Sequence, residues 1–117
     1  MSRRLSFLAA ILLVLAGLVA PVSAQPESYR IVHLAPLTGD VSFQGQILIN
    51  CAQMAVDEIN AAGGINGVPI EFIPVDETSS TTTGIEAVLK AIELDPVAVV
   101  GPNRSGTILA AEHHWKE

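Results

Sequence analysis

Residues 45–75, GQILINCAQMAVDEINAAGGINGVPIEFIPV, contain a helix, a turn and a strand in succession. Apolar residues recur every three or four positions in the first part, which is typical of an amphipathic helix: Leu48, Cys51, Ala52, Ala55, Ile59 and Ala62. We expect this stripe to face the core, with Cys51 as an inert buried thiol. Gly63-Gly64 supplies a left-handed helix end, and Asn66-Gly67 is a tight-turn dipeptide. Ile70 to Val75 then predicts a strand.

The same succession occurs on either side of this stretch. Ile31 to Ala35 predicts an earlier strand, and Val97 to Val100 is a continuous apolar run that is typical of a strand buried on both faces. Between them, Thr83 and Glu86 have the spacing of a capping box, and the stripe after it predicts a second helix: Ile85, Val88, Leu89 and Ile92. A third helix is expected to begin near Ser105 and to run to the end.

Alternating strands and helices predict an α/β fold, in which a parallel sheet carries helices on both faces. The expected strand order is 2-1-3. The chain then reverses direction between strands 1 and 3, so a crevice opens at their carboxyl ends. Residues 36–45 and 101–106 line it, and a ligand site is expected there.

The first 24 residues have the layout of a secretory signal peptide. Arg3 and Arg4 precede an apolar run from Leu5 to Val19, and small residues follow at Val22-Ser23-Ala24. The run is shorter than the roughly 20 residues of a membrane span. We therefore expect residues 1–24 to be removed and residues 25–117 to form an exported protein.

Charge and cysteine content exclude several classes of function. Two of the six basic residues lie in the signal segment, so the remainder carries four basic and twelve acidic residues, a net charge of −8. Such a surface argues against nucleic-acid and anionic-membrane partners. The single cysteine excludes an internal disulfide and a Cys-based zinc site. Neighbouring His113 and His114 point in different directions on a helix, so no metal site is expected.

The segment Gly101 to Thr107 partly matches the phosphate-binding loop of nucleotide-binding proteins. Gly101 and Gly106 have the required spacing, but Thr107 occupies the position of the required lysine. A small carboxylate is a better ligand, since Ser105 adds a hydroxyl donor near a helix start and Gly106 permits close approach. Alternatively, Ser105 only caps the helix. The acidic pairs Asp57-Glu58 and Asp76-Glu77 are adjacent rather than opposed across a cleft, so the sequence gives no support for an enzyme.

The helix and turn at residues 55–67, AVDEINAAGGING, resemble the bacterial branched-chain amino-acid-binding proteins, the type I periplasmic components of ABC importers. Ala35-Pro36-Leu37-Thr38-Gly39 and Val99-Val100-Gly101-Pro102 have the order and spacing of that family. The resemblance implies that the chain is an incomplete first lobe of a receptor that closes over a small ligand. Ser105 takes the place of the serine that binds the ligand carboxylate, and Gln44 lies near a position that approaches the ligand side chain. Asn103, Gly106 and Thr107 complete the expected contacts.

By this resemblance the chain is a periplasmic substrate-binding protein without cofactor, monomeric when complete, whose partners are an amino acid or related amide and an ABC permease. Two alternatives stay open. One is an exported sensor of the same fold that signals to a partner protein. The other is a flavodoxin-like enzyme that binds a cofactor at residues 101–107.

The signal-peptide interpretation predicts cleavage near Gln25. Small residues at the end of an apolar run are the substrate of signal peptidase, so mass spectrometry of the exported product should find its first residue there. An intact Met1 in the membrane fraction would contradict the interpretation and indicate a retained anchor.

Overall fold

The structure, a computed structural model, describes residues 26–115 of the 117-residue chain, so the expected signal peptide lies outside the described residues. Three strands alternate with three helices, and a short 3-10 helix follows at Glu112–Trp115. The elements are β1 (Tyr29–Ala35), α1 (Ser42–Ala61), β2 (Ile70–Asp76), α2 (Thr81–Glu93), β3 (Ala98–Val100) and α3 (Ser105–Ala111). The third helix is therefore shorter than the sequence predicts.

β1 is the central strand of a parallel sheet with the order β2-β1-β3, which confirms the predicted topology. Tyr29 to Ala35 pair with Ile70 to Asp76, and Ile31 to His33 pair with Ala98 to Val100. All three strands therefore end at the same edge of the sheet, where the connections to the helices begin.

The main hydrophobic core lies between one face of the sheet and α2. Val32 and Leu34 of β1 and Val75 of β2 contribute the sheet side. The helix side consists of small residues and one larger one: Ala87, Val88, Ala91 and, from α3, Ala111. The small side chains of α2 let the helix approach the sheet closely, and the partly buried Ile73, Leu94 and Val99 pack against this core.

α1 packs on β1 and β2 through a different face from the predicted stripe. Its buried residues are Gly45, Ile49 and Val56, whereas Cys51 is exposed. Two side chains of the predicted stripe, Leu48 and Ile59, are also exposed. The prediction of a buried Cys51 is therefore wrong. Apolar residues surround most of this helix, so spacing alone does not select the face that contacts the sheet.

Two features select the buried face of α1. A side chain on Gly45 would overlap the carbonyl of Pro36, so glycine permits the close approach of helix and chain there. Fifteen residues further along the helix, the Asn60 side chain bonds the start of β2. Its Nδ2 donates to the Ile70 carbonyl at 2.9 Å and its Oδ1 accepts from the Ile70 amide at 2.8 Å.

α2 begins at Thr81, after Ser80, and no side chain caps it. The predicted capping box is therefore wrong, because Thr83 lies inside the first turn instead of ahead of it. The buried residues are Gly84, Ala87, Val88 and Ala91. Of the predicted inner stripe only Val88 is buried, while Leu89 and Ile92 are exposed.

β3 differs most from its prediction. It has three residues at the described edge of the sheet, and Val97 and Val100 are exposed, so the prediction of burial on both faces is wrong for the described residues. The glycine predictions are confirmed: Gly63 and Gly64 have positive φ after α1, and Asn66-Gly67 form the predicted turn.

His33 is buried in β1 and its Nδ1 makes no hydrogen bond. Its ring lies edge-on to that of Phe72, with the ring centroids 6.0 Å apart. Burial lowers the pKa of His33. Within the described part of the chain, no helix combines the length and hydrophobicity that a membrane span needs.

Asn60→Ala should lower the free energy of unfolding by about 2 kcal/mol, because it leaves both backbone polar groups of Ile70 without their partner. Urea denaturation measures the loss. Asn50→Ala is the matched control on the same helix, since that exposed side chain bonds only Gln46. Equal stability of the two variants would contradict this account of how α1 is anchored.

Candidate functional site

Three connections meet at the carboxyl edge of the sheet. Loop 1 (residues 36–41) follows β1, loop 2 (residues 77–80) follows β2, and loop 3 (residues 101–104) follows β3. Because β1 lies between its neighbours, loops 1 and 3 emerge side by side, as the topological argument predicts.

An open pocket of about 470 Å³ lies between loop 1 with the start of α1 and loop 3 with the start of α3. Loop 1 and α1 contribute mostly apolar residues, and loop 3 and α3 contribute mostly polar ones. The lining residues are Pro36, Val41, Gln44, Leu48, Asn103, Arg104, Ser105 and Gly106. The fold thus brings four of the five predicted site residues together in the predicted crevice. Exposed apolar Leu48, which was expected in the core, is part of the wall.

Thr107 is the exception among the five. It is fully buried and does not line the pocket. Its side chain packs against Gly84 of α2, where an added methyl group would collide with it. The expectation that Thr107 contacts ligand is therefore corrected: one residue after Gly106, the helix has turned this side chain toward the protein interior.

Ser105 is exposed and is the first residue of α3, whose cap position is Arg104. No side chain makes a capping hydrogen bond at this helix start. The alternative in which Ser105 only caps the helix is therefore not what the structure shows, and the hydroxyl belongs to the pocket wall.

Asp76, at the end of β2, holds loop 1. Its Oδ1 accepts hydrogen bonds from the amides of Leu37 at 2.8 Å, Thr38 at 3.3 Å and Thr78 at 2.8 Å, and its Oδ2 accepts from the Thr38 hydroxyl at 2.5 Å. Burial raises the pKa of this carboxyl, but the hydrogen bonds together outweigh burial and hold its pKa below the usual range. The surrounding hydrogen-bond donors thus favour the ionised form of Asp76.

Glu77, the next residue, holds loop 3. Its side chain is fully buried, and its Oε1 accepts the amide of Asn103 at 2.8 Å, while its Oε2 makes no hydrogen bond. Its own amide donates to the Ala35 carbonyl at 3.0 Å. Burial raises the pKa of Glu77, and bonds from the amides of Asn103 and Arg104 and the charge of Arg104 offset only part of that.

Asn103 is itself held at both ends. Its Nδ2 donates to the carbonyl of Leu34 at 2.5 Å, and its amide bonds Glu77. The loop amide that a phosphate would need is therefore occupied by a carboxylate. This geometry does not form a phosphate cradle.

Sequence reasoning missed Asp76 and Glu77, which it considered only as catalytic acids. Their position was an available signal: successive residues at the end of a strand point to opposite sides. In a parallel sheet of order 2-1-3, one such side chain can reach loop 1 and the other loop 3.

Other titratable groups form no comparable site. The described residues hold no group of three or more His, Cys, Asp or Glu that could bind a metal ion. The rings of His113 and His114 lie 3.8 Å apart on the final 3-10 helix. A larger depression of about 720 Å³ lies at the opposite edge of the sheet, beside the ion pair of Arg30 and Glu71.

Comparison with known proteins identifies the family. The family model described as periplasmic binding protein matches residues 28–114. The Leu/Ile/Val-binding protein BraC3 of Rhizobium johnstonii is 36% identical over 97 residues, which are 80% of this chain and 26% of that protein. A Leu-, Ile-, Val-, Thr- and Ala-binding protein of Pseudomonas aeruginosa is 31% identical over 82 residues, 70% of this chain and 22% of that protein.

Solved structures agree with the sequence relatives. The branched-chain amino acid transporter substrate-binding protein LivJ of Streptococcus pneumoniae, crystallised with isoleucine, matches with a TM-score of 0.70 and 34% identity. The match covers 76% of this chain and 26% of LivJ. The chain thus spans about a quarter of the length of these relatives.

Asp76→Ala should lower the free energy of unfolding by about 2 kcal/mol at about pH 7, because three loop amides lose a charged acceptor. The lowered pKa of Asp76 makes its contribution present at neutral pH and lost as the pH falls through the folded-state value. Urea denaturation should therefore show the stabilities of wild type and variant converging as the pH falls below the usual aspartate range. Asp57→Ala, an exposed position on α1, is the control, and a difference independent of pH would contradict the assignment.

Proposed function

The chain belongs to the periplasmic binding protein family, and we propose that it acts in the substrate-binding component of an ABC importer. In this proposal it captures an amino acid, or a related small amide or carboxylate, and passes it to a permease in the inner membrane. The proposal includes export to the periplasm after removal of residues 1–24, a monomeric receptor, and no catalytic activity.

The two-sided lining of the pocket carries the proposal. Pro36, Val41 and Leu48 present apolar surface, and Ser105 presents a hydroxyl across an opening of about 470 Å³. Ligand sites of this size typically combine an apolar wall with a few polar groups that fix orientation. An amino acid with an aliphatic side chain has the matching division, with charge at one end and hydrocarbon at the other.

Each predicted residue has a distinct role in this proposal. The Ser105 hydroxyl donates to the ligand carboxylate, and Gly106 leaves room for that group. Gln44 faces the same pocket from α1 and approaches the ligand side chain. Asn103 shapes the wall, since its Nδ2 is already engaged with Leu34.

The names of the relatives support the ligand class. BraC3 is named for leucine, isoleucine and valine, and the LivJ crystal contains isoleucine.

Ser105→Ala should weaken binding of L-leucine, L-isoleucine or L-valine by about 1–3 kcal/mol, roughly 5- to 150-fold, as for a lost hydrogen bond to a charged group. Isothermal titration calorimetry on the protein expressed from its complete gene measures the change.

Ser28→Ala is the control for this titration, because that hydroxyl bonds Glu71 at the opposite edge of the sheet and should leave affinity unchanged. An unaltered affinity in Ser105→Ala would refute the carboxylate role. Wild-type protein that binds none of the three amino acids would refute the proposed ligand class.

A further inference from the structure

Glu77 does not line the pocket, yet its carboxyl group contacts a loop that does. We propose that Glu77 is a positioning residue for ligand binding: its buried carboxylate fixes the backbone of loop 3 and thereby places the Ser105 hydroxyl in the pocket. The inference rests on the proposed function, because it concerns the same site.

The contacts of Glu77 join three segments of the chain. Its amide donates to Ala35 at the end of β1, and its Oε1 accepts from Asn103 in loop 3. The residue itself directly follows β2. The fully buried side chain of Glu77 thus ties loop 3 to the end of β2, and the Glu77 backbone amide ties the same residue to the end of β1.

A purely structural role explains this arrangement poorly. A buried carboxyl group is costly unless it is fully hydrogen-bonded, and Oε2 of Glu77 has no partner. A side chain of similar volume without charge would fill the space at lower cost. The carboxylate supplies an acceptor for the Asn103 amide, which a hydrocarbon side chain would not, so a glutamate at this position fits a demand on loop geometry.

The held amides immediately precede the proposed ligand contact. Asn103 bonds Glu77 directly, and the Arg104 amide also stabilises the charged carboxylate. Ser105 is the next residue, and it begins α3. A shift of loop 3 therefore moves the Ser105 hydroxyl. Glu77 of loop 2 can hold loop 3 in place without itself contacting the ligand.

The protonation state of Glu77 gives a readout that simple packing would not. Two charged groups act on this carboxyl: Arg104 favours its ionised form and Asp76 disfavours it. An ionised carboxylate is the stronger acceptor for the Asn103 amide. The Asn103 amide signal should therefore report the titration of Glu77, and burial places that titration above the usual glutamate range.

The test is NMR on the full exported chain with three variants. Glu77→Leu removes the acceptor, Glu77→Gln keeps an acceptor oxygen without charge, and Glu71→Gln changes an exposed acid near the other end of β2. Amide hydrogen exchange of Asn103 should be about tenfold faster or more in Glu77→Leu, and near wild type in Glu77→Gln and Glu71→Gln. The pH dependence of the Asn103 amide shift should persist in wild type and Glu71→Gln and vanish in both Glu77 variants.

Two results would overturn the proposal. One is Asn103 exchange in Glu77→Leu that equals wild type. The other is unchanged Ser105 and Gly106 amide signals in Glu77→Leu, which would show that loop 3 keeps its place without the carboxylate. If Glu77→Leu does not fold, the Glu77→Gln titration still decides, since a pH-dependent Asn103 shift in that variant contradicts the assignment.

Ligand affinity separates this inference from the proposed function. L-leucine titrated into the protein from the complete gene should bind Glu77→Leu about tenfold or more weakly, and Glu77→Leu combined with Ser105→Ala should be no worse than the weaker single variant. Full additivity would show that Glu77 does not act through Ser105. No L-leucine binding by wild type, with the Asn103 results as expected, would overturn the proposed ligand and leave the loop-positioning role standing.

Discussion

The central position of β1 imposes the constraint on which the site depends. Both edges of this strand are paired in parallel, so all three strands end at one edge of the sheet. The loops that begin there expose backbone amides that have no strand partner. Asp76 and Glu77 supply acceptors for those amides, one for loop 1 and one for loop 3. The pocket lies between loop 1 and loop 3, and these two neighbouring acids anchor one loop each.

Local signals made the architecture predictable. Gly63-Gly64 and Asn66-Gly67 after α1 are strong local signals for a helix end and a turn. The alternation of strand and helix leaves few possible topologies. Helix faces were less predictable, because several large apolar side chains, such as Leu48 and Ile59, are exposed and do not mark the buried face. Gly45 and Asn60 orient α1 through a close approach and two backbone bonds, and neither contributes to a hydrophobic stripe. The same holds for α2, where Gly84 and two alanines lie inside.

The candidate site was predictable as far as it depends on which loops meet at the edge of the sheet. Gln44, Asn103, Ser105 and Gly106 meet because the strand order brings their loops together. Thr107 does not, because the direction of a side chain within the first turn of α3 depends on Gly84, which is 23 residues away in sequence. Leu48 also differs from its prediction: it was expected in the core, and it forms an apolar part of the pocket wall.

The pKa values of the two neighbouring acids shift in opposite directions because their surroundings differ. Asp76 is partly exposed and surrounded by donors, so its pKa lies below the usual range despite the effect of burial. Glu77 is fully buried, and the amides of Asn103 and Arg104 offset only part of the cost of burial, so its pKa is raised. With rising pH the fold gains from the ionisation of Asp76 and loses from that of Glu77. Stability therefore favours a neutral Glu77, whereas its hydrogen bond to loop 3 is strongest when it is charged, and this opposition fits a role in the site better than a role in the core.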